Sequence, residues 1–147
     1  MKISDFLSLA DVMVDIRASD KRQLVQELAR KAASRLNLSA DPIATELLKR
    51  EELGSTGTGG GIAIPHARIK AVGKSFGIMA RLREPIEFDA IDSEPVDLIF
   101  VLLLPTTADG DQLDALSSIA RRLRASEVLV QLRGAKNAAE LYSAIVG

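Results

Sequence analysis

The sequence predicts an α/β fold in which a mixed central β-sheet is flanked by helices, with residues 1–147 forming a single domain. Short β-rich segments alternate along the chain with amphipathic stretches. The segment 96–104 is apolar nearly throughout, as expected of a strand covered on both faces. At 147 residues, 47% of them hydrophobic, the chain is long enough to bury one core without metals or disulfides.

The first elements follow from local signals. Residues 12–16 (VMVDI) are β-rich and predict a short strand. Asp20 and the two residues before it offer helix-starting side chains. A helix after them is predicted by apolar residues at four-residue spacing, Leu24, Leu28, Ala32 and Leu36. Asp41 and the proline after it predict the next helix start, and we expect that helix to end at Gly54.

The second half of the chain begins with a glycine-rich segment. Residues 54–61 (GSTGTGGG) contain five glycines among eight residues, which predicts a loop. Strands are expected after it at 62–64, 76–82 and 96–104. Helices are expected at 111–124, 126–133 and 137–146. In the last helix Asn137 and Glu140 have the spacing of a capping box.

Composition excludes several classes of function. The chain has no cysteine, which rules out disulfides, thiolate metal sites and a thiol nucleophile. Nineteen basic and twenty acidic residues leave a net charge of -1, so nucleic acid is not an expected partner. The longest apolar run, 98–104, is far shorter than the roughly 20 residues of a spanning helix. With no signal peptide at its start, we expect a cytoplasmic protein that is not membrane-embedded.

The residues best suited to chemistry surround His66, the only histidine of the chain. Arg50 and Arg68 provide fixed positive charge, and the glycine-rich segment provides backbone N–H groups and hydroxyls. The candidate anion-binding residues of that segment are Ser55, Thr56, Gly57, Thr58 and Gly59. We therefore predict an anion site beside an imidazole, which can attack phosphorus if its other nitrogen is held by a hydrogen bond.

Such a site suits phosphoryl transfer, which requires mainly positioning and charge stabilisation, and we expect neither a cofactor nor a metal. Each feature also has a plainer interpretation. His66 could lack any catalytic role, the glycines could form only a tight turn, and Arg50 could offset the dipole at a helix end.

Other phosphate and metal motifs fail. Gly54 and Gly59 have Walker A spacing, but glycines follow where lysine and Ser/Thr are required. A dinucleotide fingerprint fails because Ile62 replaces its third glycine. The chain has no HExxH spacing and no hydrolase elbow. Nucleotide hydrolysis, dinucleotide binding and zinc chemistry are therefore not supported.

Residues 47–68 (LLKREELGSTGTGGGIAIPHAR) resemble the phosphorylation-site signature of the fructose/mannitol-type enzyme IIA family of the bacterial phosphotransferase system. Residues 12–33 and 88–105 look like its nitrogen-regulatory branch, so the resemblance covers nearly the whole chain as one type-2 enzyme IIA domain. It implies an α/β sandwich in which His66 accepts a phosphoryl group from an HPr-like carrier. It also implies that Arg50 helps to balance the phosphoryl charge.

One position departs from the family pattern. Many relatives carry a second histidine where this chain has Gln112. An amide can donate a hydrogen bond but cannot titrate, which puts onward transfer or the stability of phospho-His66 in doubt. Alternatively, Gln112 is a solvated residue of the first helical turn.

Three functions stay open at this point. The first is a regulatory phosphocarrier whose protein targets distinguish the phosphorylated from the unphosphorylated form. The second is a sugar-specific enzyme IIA that passes its phosphoryl group to a IIB protein. The third is a binding module that is never phosphorylated.

Overall fold

The central feature of the computed structural model is a six-stranded mixed sheet. The structure describes residues 1–107 and 110–147, except for the side chains of residues 111–113. The strands are β1 (Val12–Ile16), β2 (Gly57–Gly59), β3 (Ile62–Ala63), β4 (His66–Arg68), β5 (Phe76–Ile86) and β6 (Val96–Leu104). The helices are α1 (Lys21–Leu36), α2 (Ala40–Glu52), α3 (Gly110–Arg122), α4 (Ser126–Gly134) and α5 (Ala138–Val146). Two 3-10 turns, Ile3–Asp5 and Leu9–Asp11, precede β1.

The order of the sheet is β1-β5-β6-β3-β2, and β4 also pairs with β6. β5 and β6 are antiparallel, whereas β1 runs parallel to β5, and both β3 and β4 run parallel to β6. β3 pairs with β6 at Leu98 and β4 pairs with it from Leu102 onward. The break between them falls at Pro65, which has no N–H to donate to a ladder.

The apolar run of β6 is explained by a core on each face of the sheet. Ile99, Val101 and Leu103 pack with buried residues of α1 and α2. The alternate residues Leu98, Phe100, Leu102 and Leu104 pack with α3, α4, α5 and the first 3-10 turn. Because successive strand residues point to opposite faces, a strand covered on both faces is apolar at every position. The predicted fold class is confirmed.

Two helix starts show the predicted caps. The Asp20 side chain accepts a hydrogen bond from the Gln23 N–H at 2.8 Å, at the start of α1. The Asn137 side chain accepts one from the Glu140 N–H at 2.9 Å, at the start of α5. In a capping box the Glu140 carboxylate would accept a hydrogen bond from the N–H of the cap residue, Asn137. Here it accepts from the N–H of Lys136, one residue before the cap.

Several predicted boundaries are wrong. α2 begins at Ala40 rather than Asp41, because Ser39 is the extended residue before the first turn; Asp41 lies within that turn, near the positive end of the helix dipole. The segment 54–61 is not a loop throughout, since β2 forms a hairpin with β3. β5 continues past residue 82 to Ile86 through an irregular register with β6. Within the described part of the chain, none of the helices has the length and apolar character needed to cross a membrane.

Candidate functional site

A cavity of about 690 Å³ lies at the edge of the sheet, where α2 ends and β4 runs beside β6. α2 and the residue after it contribute Glu46, Lys49, Arg50, Glu52 and Leu53 to its lining. The remaining lining residues are His66, Ala67, Arg68, Leu104 and Leu116. The structure thus brings together three of the predicted site residues, His66, Arg50 and Arg68.

His66 is the first residue of β4, where its backbone pairs with Leu102, and its side chain is partly buried. Its Nδ1 lies 2.9 Å from the carbonyl oxygen of Ile64. Because a carbonyl oxygen can only accept, Nδ1 must carry the proton in this bond. The neutral ring then has its lone pair on Nε2, which leaves that nitrogen free to act as a nucleophile.

Arg50 lies in the last turn of α2, and its Nη1 donates a hydrogen bond to the carbonyl oxygen of Gly54 at 2.7 Å. This bond ties the guanidinium to the turn that follows the helix. It also matches the plainer interpretation of Arg50 as a helix-end charge. The two roles are compatible, because a guanidinium has five N–H donors and Nη1 uses one of them here.

Arg68 follows His66 by two residues in β4, so the two side chains share one face of the strand. Lys49 is the third cation of the cavity and lies 3.6 Å from the Glu46 carboxylate. In the described part of the chain, neither Arg50 nor Arg68 forms an ion pair. Two guanidinium groups near His66 therefore carry charge that no carboxylate in that part neutralises.

The hydroxyl groups of Ser55 and Thr56 form hydrogen bonds within the fold. The Ser55 Oγ donates to the carbonyl oxygen of Phe88 at 2.8 Å and accepts from the Gly57 N–H at 3.0 Å. Thr56 is only 4% exposed, and both its N–H and its hydroxyl donate to the carboxylate of Glu51. Neither residue lines the cavity of His66.

The rest of the glycine-rich segment also lies elsewhere. Gly57 packs against Ala90 so closely that an added Cβ would lie 2.8 Å from the Cβ of that alanine. Thr58 and Gly59 line a second cavity of about 400 Å³, together with apolar residues of β3, α3 and α4. The structure therefore does not bring Gly57, Thr58 and Gly59 into the cavity of His66.

The sheet register explains this separation. Ile62, beside the hairpin turn, pairs with Leu98, whereas His66 pairs with Leu102. Four residues of extended strand span roughly 13 Å. Closeness along the sequence therefore does not translate into closeness in space, because the chain runs straight from the hairpin to His66.

The hairpin turn is held by its own polar network. The Gly60 N–H donates to Asp92 at 3.0 Å, and the Gly60 carbonyl accepts from Arg133 at 2.7 Å. Arg133 also forms a two-pronged ion pair with Asp97, which raises the pKa of the guanidinium. The Gly60 and Glu94 N–H groups, in that order, lower the pKa of Asp92 below its ordinary value of 3.8.

Two features of the site escaped sequence reasoning. Leu53 is 86% exposed at the rim of the cavity, and no pattern in the sequence distinguishes it. Glu51 is buried behind the site, and this could have been noticed, because it follows Ile43 and Leu47 at four-residue spacing on the apolar face of α2. Gln112 lies in α3, but its side chain is outside the described residues, so its role stays a prediction.

The arrangement combines a nucleophilic nitrogen, an exposed apolar residue and two guanidinium groups that form no ion pair with the described residues. Such a site can hold a dianion against the imidazole, because fixed positive charge favours the anion. The described residues include no cluster of three or more His, Asp or Glu side chains that could hold a metal ion.

Comparisons with known proteins give one consistent result. The model of the family described as phosphoenolpyruvate-dependent sugar phosphotransferase system, EIIA 2, matches residues 5–146. A nitrogen regulatory protein of Bradyrhizobium diazoefficiens is 40% identical over 145 residues, which are 99% of this chain and 95% of that protein.

Among solved structures, the nitrogen regulatory protein IIA-Ntr of Neisseria meningitidis superposes with a TM-score of 0.92 at 36% identity. The alignment covers 97% of this chain and 98% of that one. The mannitol IIA of Escherichia coli superposes with a TM-score of 0.78 at 16% identity, covering 94% and 97%. At that identity the mannitol protein shows a shared fold alone.

Proposed function

Since the chain belongs to the EIIA 2 family of the phosphoenolpyruvate-dependent sugar phosphotransferase system, we propose that it accepts a phosphoryl group on Nε2 of His66. The observation that carries this proposal is the 2.9 Å contact between Nδ1 and the Ile64 carbonyl oxygen. It leaves the lone pair on Nε2, where it can attack phosphorus, while the other ring nitrogen keeps its proton.

The donor is a phosphohistidine of an HPr-like carrier protein. The Nε2 lone pair attacks phosphorus, the N–P bond of the donor breaks, and the electron pair of that bond stays on the imidazole of the donor. His66 retains its Nδ1 proton throughout. Arg50 and Arg68 stabilise the negative charge on the transferred group, and the transfer needs little else from the protein.

The phosphorylation state is the signal that this chain delivers. Its similarity to nitrogen regulatory proteins extends over nearly the full length of both chains, which supports a regulatory protein acting through contacts with protein targets, in the cytoplasm. A phosphoryl group adds about -2 charge. At a cavity that holds three cations and two carboxylates, this changes the sign of the local charge.

The sugar-specific alternative is supported by the family, whose description names a sugar phosphotransferase system. In that case His66 would pass its phosphoryl group to a IIB protein. The two alternatives differ in a measurable way, because only the second predicts rapid transfer from phosphorylated protein to a fructose- or mannitol-type IIB domain.

The decisive experiment measures the intact mass of the protein after incubation with phosphoenolpyruvate, enzyme I and an HPr-like carrier. We expect wild type to gain one phosphoryl group and His66→Ala to gain none, with unchanged circular dichroism for the variant. A gain in both would place the phosphoryl group elsewhere. No gain in wild type, with the carrier itself phosphorylated, would favour a binding module that is never phosphorylated.

Gln112→His tests the departure from the family pattern. If the missing second imidazole affects phosphoryl transfer or the stability of phospho-His66, this variant should change the rate of phosphoryl uptake or the lifetime of phospho-His66. Unchanged values for both would assign Gln112 to the solvated surface.

A further inference from the structure

We propose that the buried carboxylate of Glu51 is a positioning device for the reactive imidazole, acting through Thr56 and the backbone of Ile64. The proposal rests on the function assigned to His66 above. It concerns a different feature of the protein, namely what holds the ring in the tautomer that leaves Nε2 free.

Glu51 is the centre of a buried polar cluster at the end of α2. Its side chain is 3% exposed, and Lys21 lies 2.9 Å from its Oε1. The Lys21 ammonium also donates to the Phe88 carbonyl oxygen at 3.3 Å and lies 4.6 Å from the centre of the Phe88 ring. The N–H of Thr56 donates to the same Oε1 at 3.0 Å, and the Thr56 hydroxyl donates to the second carboxylate oxygen.

From this cluster a chain of hydrogen bonds leads to the reactive ring. The Thr56 carbonyl oxygen accepts from the Ile64 N–H at 3.1 Å. The carbonyl oxygen of Ile64 in turn accepts from His66 Nδ1 at 2.9 Å. Thr56 is thus fixed on both sides, by Glu51 at its N–H and by Ile64 at its carbonyl. Ile64 is fixed in the same way, between Thr56 and the imidazole.

The same segment also holds Arg50 in place. The Gly54 N–H donates to the backbone carbonyl of Glu51 at 3.1 Å, and the carbonyl of Gly54 accepts from Arg50 at 2.7 Å. Thr56 is bound to the Glu51 side chain, so the turn between the two residues is closed at both ends. Arg50 is therefore linked to the backbone of Glu51, and His66 is linked to its carboxylate through Thr56 and Ile64.

Stability alone does not account for such a cluster. Burying an ion pair costs desolvation energy, and replacing it with apolar residues is often neutral or stabilising. A partner that orients an active imidazole is a well-supported use of such a group, because the hydrogen bond at one ring nitrogen determines which nitrogen is protonated.

The first test measures the tautomer of His66 directly. The ring is the only imidazole in the chain, so the 15N NMR spectrum of untagged protein contains a single pair of ring signals. At about pH 9, where an ordinary histidine is neutral, wild type should show mainly the Nδ1–H tautomer. Thr56→Val keeps the branched shape and the backbone N–H bond to Glu51 but loses the hydroxyl donor. The weakened link should shift the ring toward the Nε2–H tautomer that free histidine favours. Glu51→Gln should do the same.

The second test measures the rate of phosphoryl uptake from excess phosphorylated carrier. We expect Thr56→Val to lower this rate by about tenfold, as loss of a group that orients a reactive imidazole typically does. If wild type itself gains no phosphoryl group, the proposed function fails, but the tautomer measurement still decides the role of Glu51.

The chain offers a matched control in Asp11. This carboxylate is 1% exposed, accepts from the Ser8 hydroxyl at 2.9 Å and pairs with Arg35 at 2.7 Å. Its partners lie in α1 and the N-terminal turn, outside the cavity. Asp11→Asn should lower the melting temperature but keep the wild-type tautomer and uptake rate.

A wild-type tautomer and uptake rate in Thr56→Val, together with a lower melting temperature, would overturn the proposal and leave Glu51 a purely structural residue. Glu51→Gln leaves Lys21 without its charge partner. If that variant does not fold, Thr56→Val decides alone, because it retains the ion pair.

Discussion

The glycine-rich hairpin and the strand that carries His66 are neighbours in sequence but serve different purposes. The turn at Gly60 and Gly61 is held by hydrogen bonds with Asp92, Asp97 and Arg133, none of which lines the cavity of His66. His66 instead faces a cavity with Arg50 and Arg68. Polar groups in the first region are satisfied by one another, whereas the guanidinium groups in the second form no ion pair with the residues that the structure describes.

This difference separates groups that stabilise the fold from groups available to a ligand. A satisfied polar cluster makes the turn rigid and has little left to offer an anion. Positive charge beside a nucleophilic nitrogen, without a carboxylate partner among the described residues, is poorly explained by stability and is what the proposed phosphoryl transfer requires. Changes in the two regions should therefore affect different measurements.

Among variants that keep His66, the largest effect is expected for Arg50→Ala. Removing a group that stabilises charge in the transition state typically costs roughly 100-fold in rate. The hydrogen bond of Arg50 to Gly54 is exposed, so the free energy of unfolding should fall by only about 1 kcal/mol. Time courses of phosphoryl uptake and thermal melting measure the two quantities.

Lys49→Ala is the matched control for that prediction. Lys49 lines the same cavity but lies near Glu46, so its removal should slow uptake only a few-fold. Equal losses in the two variants would mean that net charge, rather than the placement of Arg50, determines the rate. Normal uptake in Arg50→Ala with a large loss of stability would make this arginine a helix cap and nothing more.

Gly61→Ala should instead destabilise the hairpin. Gly61 has a φ of +80°, and an added Cβ would lie 2.6 Å from the Arg133 guanidinium and 2.9 Å from the Asp97 carboxylate. We expect a loss of about 2 kcal/mol in the free energy of unfolding, which lowers the melting temperature by roughly 4–8 °C. Phosphoryl uptake by the folded variant should stay near the wild-type rate.

Gly73→Ala provides the comparison, since its added Cβ would contact nothing within 4 Å and its φ is not in the left-handed region. It should leave the melting temperature nearly unchanged. A marked loss of uptake in Gly61→Ala, but not in Gly73→Ala, would show that the hairpin supports the site after all.

The sequence predicts the elements of the fold better than the membership of the site. β6 and α1 are predicted because burial on both faces and a capping Asp20 leave local patterns. The resemblance to the nitrogen-regulatory branch is confirmed by relatives matched along nearly the whole chain. Local patterns and family motifs are both properties of the linear sequence.

The members of the site depend instead on sheet register. Ser55 and Thr56 carry hydroxyls that suit an anion, but Phe88 and Glu51 already occupy them. Thr58 and Gly59 lie in β2, beside β3. β3 pairs with β6 at Leu98, whereas His66 pairs with β6 at Leu102. Neither fact can be derived from the local sequence, because both depend on the folded contacts of these residues.

The smallest effect is expected for Asp92→Asn, and it should depend on pH. The Gly60 and Glu94 N–H groups lower the pKa of Asp92 in the folded protein, so the charged carboxylate stabilises the fold above its unfolded pKa. That contribution disappears as pH falls from about 5 through the lowered pKa. The stability difference between wild type and Asp92→Asn should therefore shrink on acidification, as urea unfolding can measure. A difference that stays constant across this range would mean that the charge of Asp92 contributes nothing to the turn.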